Sequence, residues 1–167
     1  LTGALVGEVV TLSAGKANTP SPNVGLYKDQ PLSDLAISVT NGRADNYLLP
    51  AMGNLTITKA PLTISATQDS RTYNGTTRSA ALPTFSALYG KDSLTSLSQS
   101  FASKNVMGEQ ASQLNVNKDF VLNDGNGGGN YEVTLLPAAG TIKPAYLAIT
   151  GVSAVSKIYD GTQVASL

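Results

Sequence analysis

The chain has 167 residues, 41% of them hydrophobic, and its 11 basic and 11 acidic residues cancel to a formal charge of zero. That balance argues against nucleic acid as a partner, which calls for a basic excess, and against electrostatic docking on an anionic membrane. The absence of Cys and His excludes thiolate–imidazole zinc sites and the Ser-His-Asp and Cys-His forms of catalysis.

Charged residues make up only 13% of the chain, and Thr, Ser, Asn and Gly take their place. This neutral, hydroxyl-rich composition suits exported β-rich fibres. Without disulfides, stability has to come from the core. No apolar run is long enough to span a bilayer, so membrane insertion is not expected. No secretory signal stands in the sequence, and targeting information for an exported protein would lie outside it. No cofactor is expected.

Alternating apolar residues predict half-buried strands at Leu35, Ile37 and Val39, at Leu55 and Ile57, and at Leu62 and Ile64. The segment Ser93 to Ser103 has the look of a weak helix, although Ser and Thr are frequent in it. Strands follow at Tyr131, Val133 and Leu135, and at Leu147, Ile149 and Val152 with a slip at Gly151. Clusters of Asn, Asp, Gly, Ser and Pro separate these runs and supply turn chemistry.

The sequence repeats. Ala4-Leu5-Val6-Gly7 matches Ala87-Leu88-Tyr89-Gly90, and Asn23-Val24 matches Asn105-Val106. Asn46-Tyr47 matches Asn130-Tyr131, and Ile57 matches Ile142. Leu62-Thr63-Ile64 matches Leu147-Ala148-Ile149, and Tyr73-Asn74-Gly75-Thr76 matches Tyr159-Asp160-Gly161-Thr162. The matches are collinear, with offsets that drift from 82 to 86. The loop Asn41 to Asp45 corresponds to the longer Asn123 to Gly129, which places an insertion where strands tolerate one. The repeat unit is about 85 residues. Residues 1–60 read as the C-terminal part of one unit, 61–145 as a complete unit and 146–167 as the start of a third. Further repeats are expected on both sides.

Each unit should hold roughly six to eight short strands. The expected fold is all-β: tandem immunoglobulin-like sandwich modules placed end to end, with β-grasp modules as the alternative. At the junctions Lys59-Ala60-Pro61 and Lys143-Pro144-Ala145, one strand ends and the next begins almost at once. Pro61 and Pro144 fix φ there, so neighbouring units should sit in a stiff rod. The recurring Tyr-Asn/Asp-Gly-Thr segment reads as a scaffold turn of type I′, in which Asn74-Gly75 and Asp160-Gly161 would take positive φ.

Five motifs stand in order in the complete unit. They are Leu62-Thr63-Ile64, Tyr73-Asn74-Gly75-Thr76-Thr77, Lys104-Asn105-Val106, Gly129-Asn130-Tyr131 and Gly140-Thr141-Ile142-Lys143-Pro144. In this the chain resembles the YDG-type repeats of filamentous-haemagglutinin-like, two-partner-secreted bacterial adhesins. It departs from that pattern at Asn74, where Asp is usual, at Gly108, which comes one residue late, and before Asn23, where Lys is missing.

The resemblance implies a non-enzymatic stalk segment of a long surface protein, secreted and associated with the outer membrane, that serves attachment, aggregation or biofilm. A host or matrix glycan or protein receptor would then be bound elsewhere in the parent chain. Neighbouring repeats would be partners, and self-association into a surface filament is a further expectation. A glycan-binding module is the other reading, weakened by 6% aromatic residues and no Trp. The loop Asn123-Asp124-Gly125-Asn126-Gly127 has some likeness to a calcium loop but lacks the further acidic ligand an EF-hand needs.

Overall fold

The computed structural model describes residues 2–165. The chain is all-β, as expected from the alternation. Its first part forms β1 (Val9–Ala17), β2 (Gly25–Thr40) and β3 (Met52–Ile57), with a 3-10 turn at Ala44–Asn46. These strands make one antiparallel sheet, order β1-β2-β3.

The middle part holds β4 (Ala60–Ser65), β5 (Ser70–Thr72), β6 (Thr84–Phe85), β7 (Ser93–Thr95), β8 (Gln99–Phe101), β9 (Gly108–Val116), β10 (Val121–Asn123), β11 (Tyr131–Leu136) and β12 (Ala138–Lys143). They form a sheet β11-β4-β6, a sheet β5-β12-β9-β8 and a β10-β7 pair. The middle part therefore has more and shorter strands than expected. Where a weak helix was expected, Ser93 to Ser103 holds β7 and β8. Ser and Thr favour this extended outcome, since their side chains compete for backbone partners in a helix.

Two pairings are parallel: β11 with β4 and β12 with β5. A wholly antiparallel immunoglobulin-like arrangement has no such pairs. Their origin is the path of the chain. After β4 it crosses to the other sheet as β5, and the later consecutive strands β11 and β12 cross in the same sense, each lying beside its earlier counterpart.

The two larger sheets share one core. Leu62 and Ile64 of β4, alternating with half-buried neighbours, are fully buried. They meet Phe101, Leu114, Val116 and Ile142 of the four-stranded sheet, and Tyr131. Burying each such aliphatic side chain contributes about 1.5–3 kcal/mol. Gly140 of β12 makes room for core side chains of its own sheet: a Cβ there would lie 2.7 Å from Leu114 Cδ1 of β9 and 2.8 Å from Phe101 Cε1 of β8. Gln99, buried on β8, ties the four-stranded sheet to the β4–β5 crossover. Its amide donates to Thr67 O at 2.6 Å, and Thr67 N–H donates to its carbonyl at 2.7 Å.

Pro61 lies inside β4 yet breaks no ladder. Ala60 and Ala66 N–H donate to Asn130 O and Leu136 O, so even-numbered positions of β4 face β11. The β6 pairing on the other side starts only at Ile64. Pro61 therefore lacks its N–H where no partner strand waits. Pro144 follows the end of β12 and is exposed.

Residues 146–165 form no strand, and Leu147, Ile149 and Val152 are exposed. The alternation predicted there is present, but no strand among the described residues pairs with it. Alternation supplies one apolar face, and a strand also needs a ladder partner. Ser166 and Leu167, at the end of the third partial unit, lie outside the described residues.

Candidate functional site

The residues singled out by the repeat fall into three local constellations. The first is built on the tyrosines. Tyr131 opens β11 with its ring in the core and its hydroxyl at the edge. The hydroxyl accepts from Tyr89 N–H at 2.9 Å and donates to Asp92 Oδ2 at 2.7 Å. Tyr47 does the same in the first unit, accepting from Leu5 N–H at 3.3 Å and donating to Glu8 Oε2. The acceptor turns also match, with Asp92 N–H donating to Tyr89 O and Glu8 N–H to Leu5 O.

This geometry aligns Leu5 with Tyr89, one residue away from the sequence match of Leu5 with Leu88. Burial, and then the Asp92 carboxylate, hold the Tyr131 phenol above its usual range despite the opposing Tyr89 N–H. The Glu8 carboxylate raises Tyr47 as well.

The second constellation is the Tyr-Asn/Asp-Gly-Thr turn. Asn74 is not among the residues with positive φ, whereas Gly75 has φ 79° and Gly161 φ 75°. The expected type I′ hairpin turn is therefore corrected. Asn74 Oδ1 accepts from Thr76 N–H at 3.1 Å and Thr76 Oγ1 at 2.9 Å. Asp160 Oδ1 accepts from Thr162 N–H and Thr162 Oγ1, both at 2.9 Å. A side-chain carbonyl capping the N–H two residues on needs no positive φ at the Asx position. The turn is also no hairpin, because β5 pairs with β12.

A cation two residues before each tyrosine clamps this turn. Arg71 donates to Thr76 Oγ1 at 2.9 Å and to Thr76 O, and its guanidinium lies 5.0 Å from the centre of the Phe101 ring. Lys157 Nζ donates to Thr162 Oγ1 at 2.7 Å and Thr162 O at 2.8 Å. Lys157, together with the Thr162 donors, holds the Asp160 carboxyl below its usual range. The basic residue shared at this position, Arg71 and Lys157, is visible in the sequence only once the two turns are aligned on their tyrosines.

The third constellation centres on Asn130, Tyr131's neighbour. Asp124 organises its loop: Oδ1 accepts from Asn126 N–H at 2.8 Å and Gly128 N–H at 2.7 Å, and Oδ2 accepts from Asn130 N–H at 2.9 Å. Burial raises the Asp124 carboxyl, but these backbone donors outweigh it and hold it low. The lone pairs of Asp124 thus serve the loop rather than a cation.

Asn130 then reaches across to the first unit. Its Oδ1 accepts from Val24 N–H at 2.9 Å, and its Nδ2 donates to Asn23 Oδ1 at 3.1 Å. Its backbone carbonyl accepts from Ala60 N–H at 2.9 Å, at the point where the first unit runs into β4. Asn46, its counterpart, closes the 3-10 turn with its N–H on Arg43 O at 3.1 Å.

Around Asn130, a cleft of about 330 Å³ is bounded by Val24, Ile57, Tyr89, Asp92, Asp124 and Tyr131. The Tyr89 ring is exposed and lies 6.5 Å from that of Tyr131. The polar groups that line this cleft are mostly engaged with one another, as the bonds above show. The three constellations do not converge on one catalytic centre. The tyrosine pair with its acid, the clamped turn and the Asn130 link each stabilise a separate part of the unit.

The middle part carries all five motifs, both sheets and the core. A YDG domain is found at residues 58–139. Its match covers β4 through β11 and reaches the start of β12, so the YDG domain coincides with the part of the chain that has a buried core. No curated protein and no solved structure matches the chain.

Proposed function

We propose that the chain is a structural stalk segment of a large bacterial surface adhesin, built from tandem YDG-containing sandwich units and without enzymatic activity. The observation that carries this reading is the Asn130 link. One side chain of the YDG domain holds the backbone of the preceding unit at Val24 while its own carbonyl holds the junction at Ala60. A connection of this kind suits a protein that must keep its units in line. The polar groups around it serve cohesion and leave few free donors for a substrate.

In this reading the parent protein is secreted, sits at the outer membrane and resembles filamentous-haemagglutinin-like, two-partner-secreted adhesins. Its receptor, a glycan or protein of the host or matrix, is bound outside these residues. Attachment, aggregation or biofilm is the cellular role.

The exposed Tyr89 ring beside the junction cleft favours a second reading, a weak glycan site at that place. One experiment separates the two. Antibodies against the 167-residue chain should label intact, unpermeabilised cells of the source organism. The purified chain, added in excess, should leave adhesion of those cells unchanged. Absence of surface labelling refutes the stalk reading, and competition by the purified chain favours the glycan site.

A further inference from the structure

The chain holds three Asn-Gly pairs: Asn41-Gly42, Asn74-Gly75 and Asn126-Gly127. In each, a glycine without Cβ leaves its backbone nitrogen open to the side-chain carbonyl carbon of the preceding residue. Attack there closes a cyclic succinimide and expels ammonia. The pairs share this local sequence, so the folded surroundings decide which of them reacts.

Two of the pairs face a carboxylate. At Gly42 a Cβ would overlap the Glu8 carboxylate. Asn41 Nδ2 is tied to Gly7 O at 3.2 Å. Gly127 lies between Asn126 and Gly128, whose N–H groups both donate to Asp124 Oδ1. Asn126 Nδ2 is tied to Asn130 Oδ1 at 2.9 Å. A nearby negative charge opposes loss of the glycine N–H proton. A donor bond on the departing nitrogen also has to break as that nitrogen leaves.

Asn74 has the opposite surroundings. Its Oδ1 accepts from Thr76 N–H at 3.1 Å and from Thr76 Oγ1 at 2.9 Å. These donors hold the carboxamide along the Gly75 peptide and meet negative charge as it develops on Oδ1. Thr76 Oγ1 in turn accepts from Arg71 Nη1 at 2.9 Å, so the charge facing this turn is a cation. Among the described residues, nothing accepts from Asn74 Nδ2 or from Gly75 N–H. A Cβ at Gly75 would meet no atom within 4 Å, and residues 73–77 are exposed, so water reaches the turn.

We propose that Asn74 is a self-modifying site, whose carboxamide is converted to a carboxylate ahead of those of Asn41 and Asn126. Gly75 N loses its proton to solvent and bonds to Asn74 Cγ. The oxyanion collapses, and the side-chain nitrogen takes up a proton and leaves as ammonia. Water then opens the succinimide. Addition at Cγ breaks the new bond and gives aspartate, and addition at the main-chain carbonyl gives isoaspartate. The net change is one water consumed and one ammonia released, with no enzyme or cofactor. The aspartate product has a precedent in this chain. Asp160 accepts the same pair of bonds from Thr162 and pairs with Lys157 Nζ at 2.7 Å. Conversion at Asn74 would therefore turn the Arg71 clamp into an ion pair and add one negative charge to a chain whose formal charge is zero. The site holds whether or not the chain serves as a stalk.

Peptide mapping by mass spectrometry, on the 167-residue chain incubated at mildly alkaline pH, tests this. In the native chain, conversion at Asn74 should run several-fold faster than at Asn41 or Asn126. In guanidinium chloride the rates should draw together, because only the shared sequence remains. Two substitutions, each checked for wild-type circular dichroism, should slow native conversion at Asn74: Arg71→Gln removes the cation, and Thr76→Val removes the hydroxyl but keeps the backbone donor. The proposal would be overturned by native conversion led by Asn41 or Asn126, by equal native rates at all of them, or by a lead for Asn74 that persists in full in denaturant. A native rate at Asn74 indifferent to both substitutions would overturn it as well.

Discussion

Tyr47 and Tyr131 make the same pair of hydrogen bonds at the same sequence separations. Each hydroxyl accepts from an N–H 42 residues earlier and donates to a carboxylate 39 residues earlier. The chemistry of the acid changes from Glu8 to Asp92 and the residue supplying the N–H from Leu5 to Tyr89, but the spacing does not. Such agreement follows if both tyrosines occupy one position of a common unit. The environments still differ in depth: Tyr131 is buried and Tyr47 only half-buried.

Replacing Tyr131 by Phe should therefore cost more stability than replacing Tyr47 by Phe. The first change strands a backbone N–H and a carboxylate at the margin of the core, and the second does so near water. The sign of the alkaline dependence follows from the raised Tyr131 phenol. Its contribution is complete below the unfolded value of about 10 and is lost as pH rises through the higher folded value. Urea midpoints measured across the alkaline range should fall for the wild type and fall less steeply for Tyr131→Phe. Equal slopes would refute the assignment.

Asp124 sets the acid limb. Its folded carboxyl is held below the ordinary range, as is that of Asp69, where burial is outweighed by Ser79 and the N–H groups of residues such as Ala80. The stability these groups contribute is complete above the unfolded value of about 4 and is lost as pH falls through the lower folded values. Asp124→Asn should lower the denaturation midpoint at neutral pH, because an amide offers one carbonyl to three N–H donors. It should also flatten the loss below that pH. Thermal melts over an acid series, with a midpoint and slope unchanged by the variant, would contradict this.

Equivalent leucines should respond unequally. Leu62→Ala leaves a cavity in the core and should destabilise the middle unit by about 2–5 kcal/mol. Leu147→Ala, at the corresponding position of the exposed C-terminal segment, should leave the stability of the middle unit in dilute solution within about 0.5 kcal/mol of wild type. Urea unfolding of the two variants at low concentration compares them directly.

The β-character was legible because it is local in sequence. Alternation at Leu62 and Ile64 or at Tyr131, Val133 and Leu135 marks the buried face without reference to a partner. The parallel pairings were not legible, since nothing within β4 or β5 signals that the strand beside it comes from about 70 residues further along. The turn at Asn74-Gly75 was located correctly but given the wrong geometry, because an Asn-Gly pair serves an Asx turn as well as a hairpin. Asp92 and Glu8 were missed for a simpler reason. Their shared spacing before the tyrosines becomes visible only when an Asp in one unit is allowed to match a Glu in the other. The Asn130 link depends on the folded path of two units and left no local trace.

The claim on which the functional reading rests is that Asn130 and the short junction hold the first two units in a fixed relation. The lack of native Cys makes site-specific spin labelling clean. Labels at Ser38→Cys on β2 and Lys118→Cys beyond β9 report on the two units from exposed positions. Measured by double electron–electron resonance at low concentration, the wild-type chain should give one narrow distance distribution. Asn130→Ala, combined with a Gly-Ser stretch inserted after Thr58, should give a broad one, since such a linker behaves as a flexible coil. A wild-type distribution as broad as that of the linker variant would contradict the stalk and leave independent units on a string.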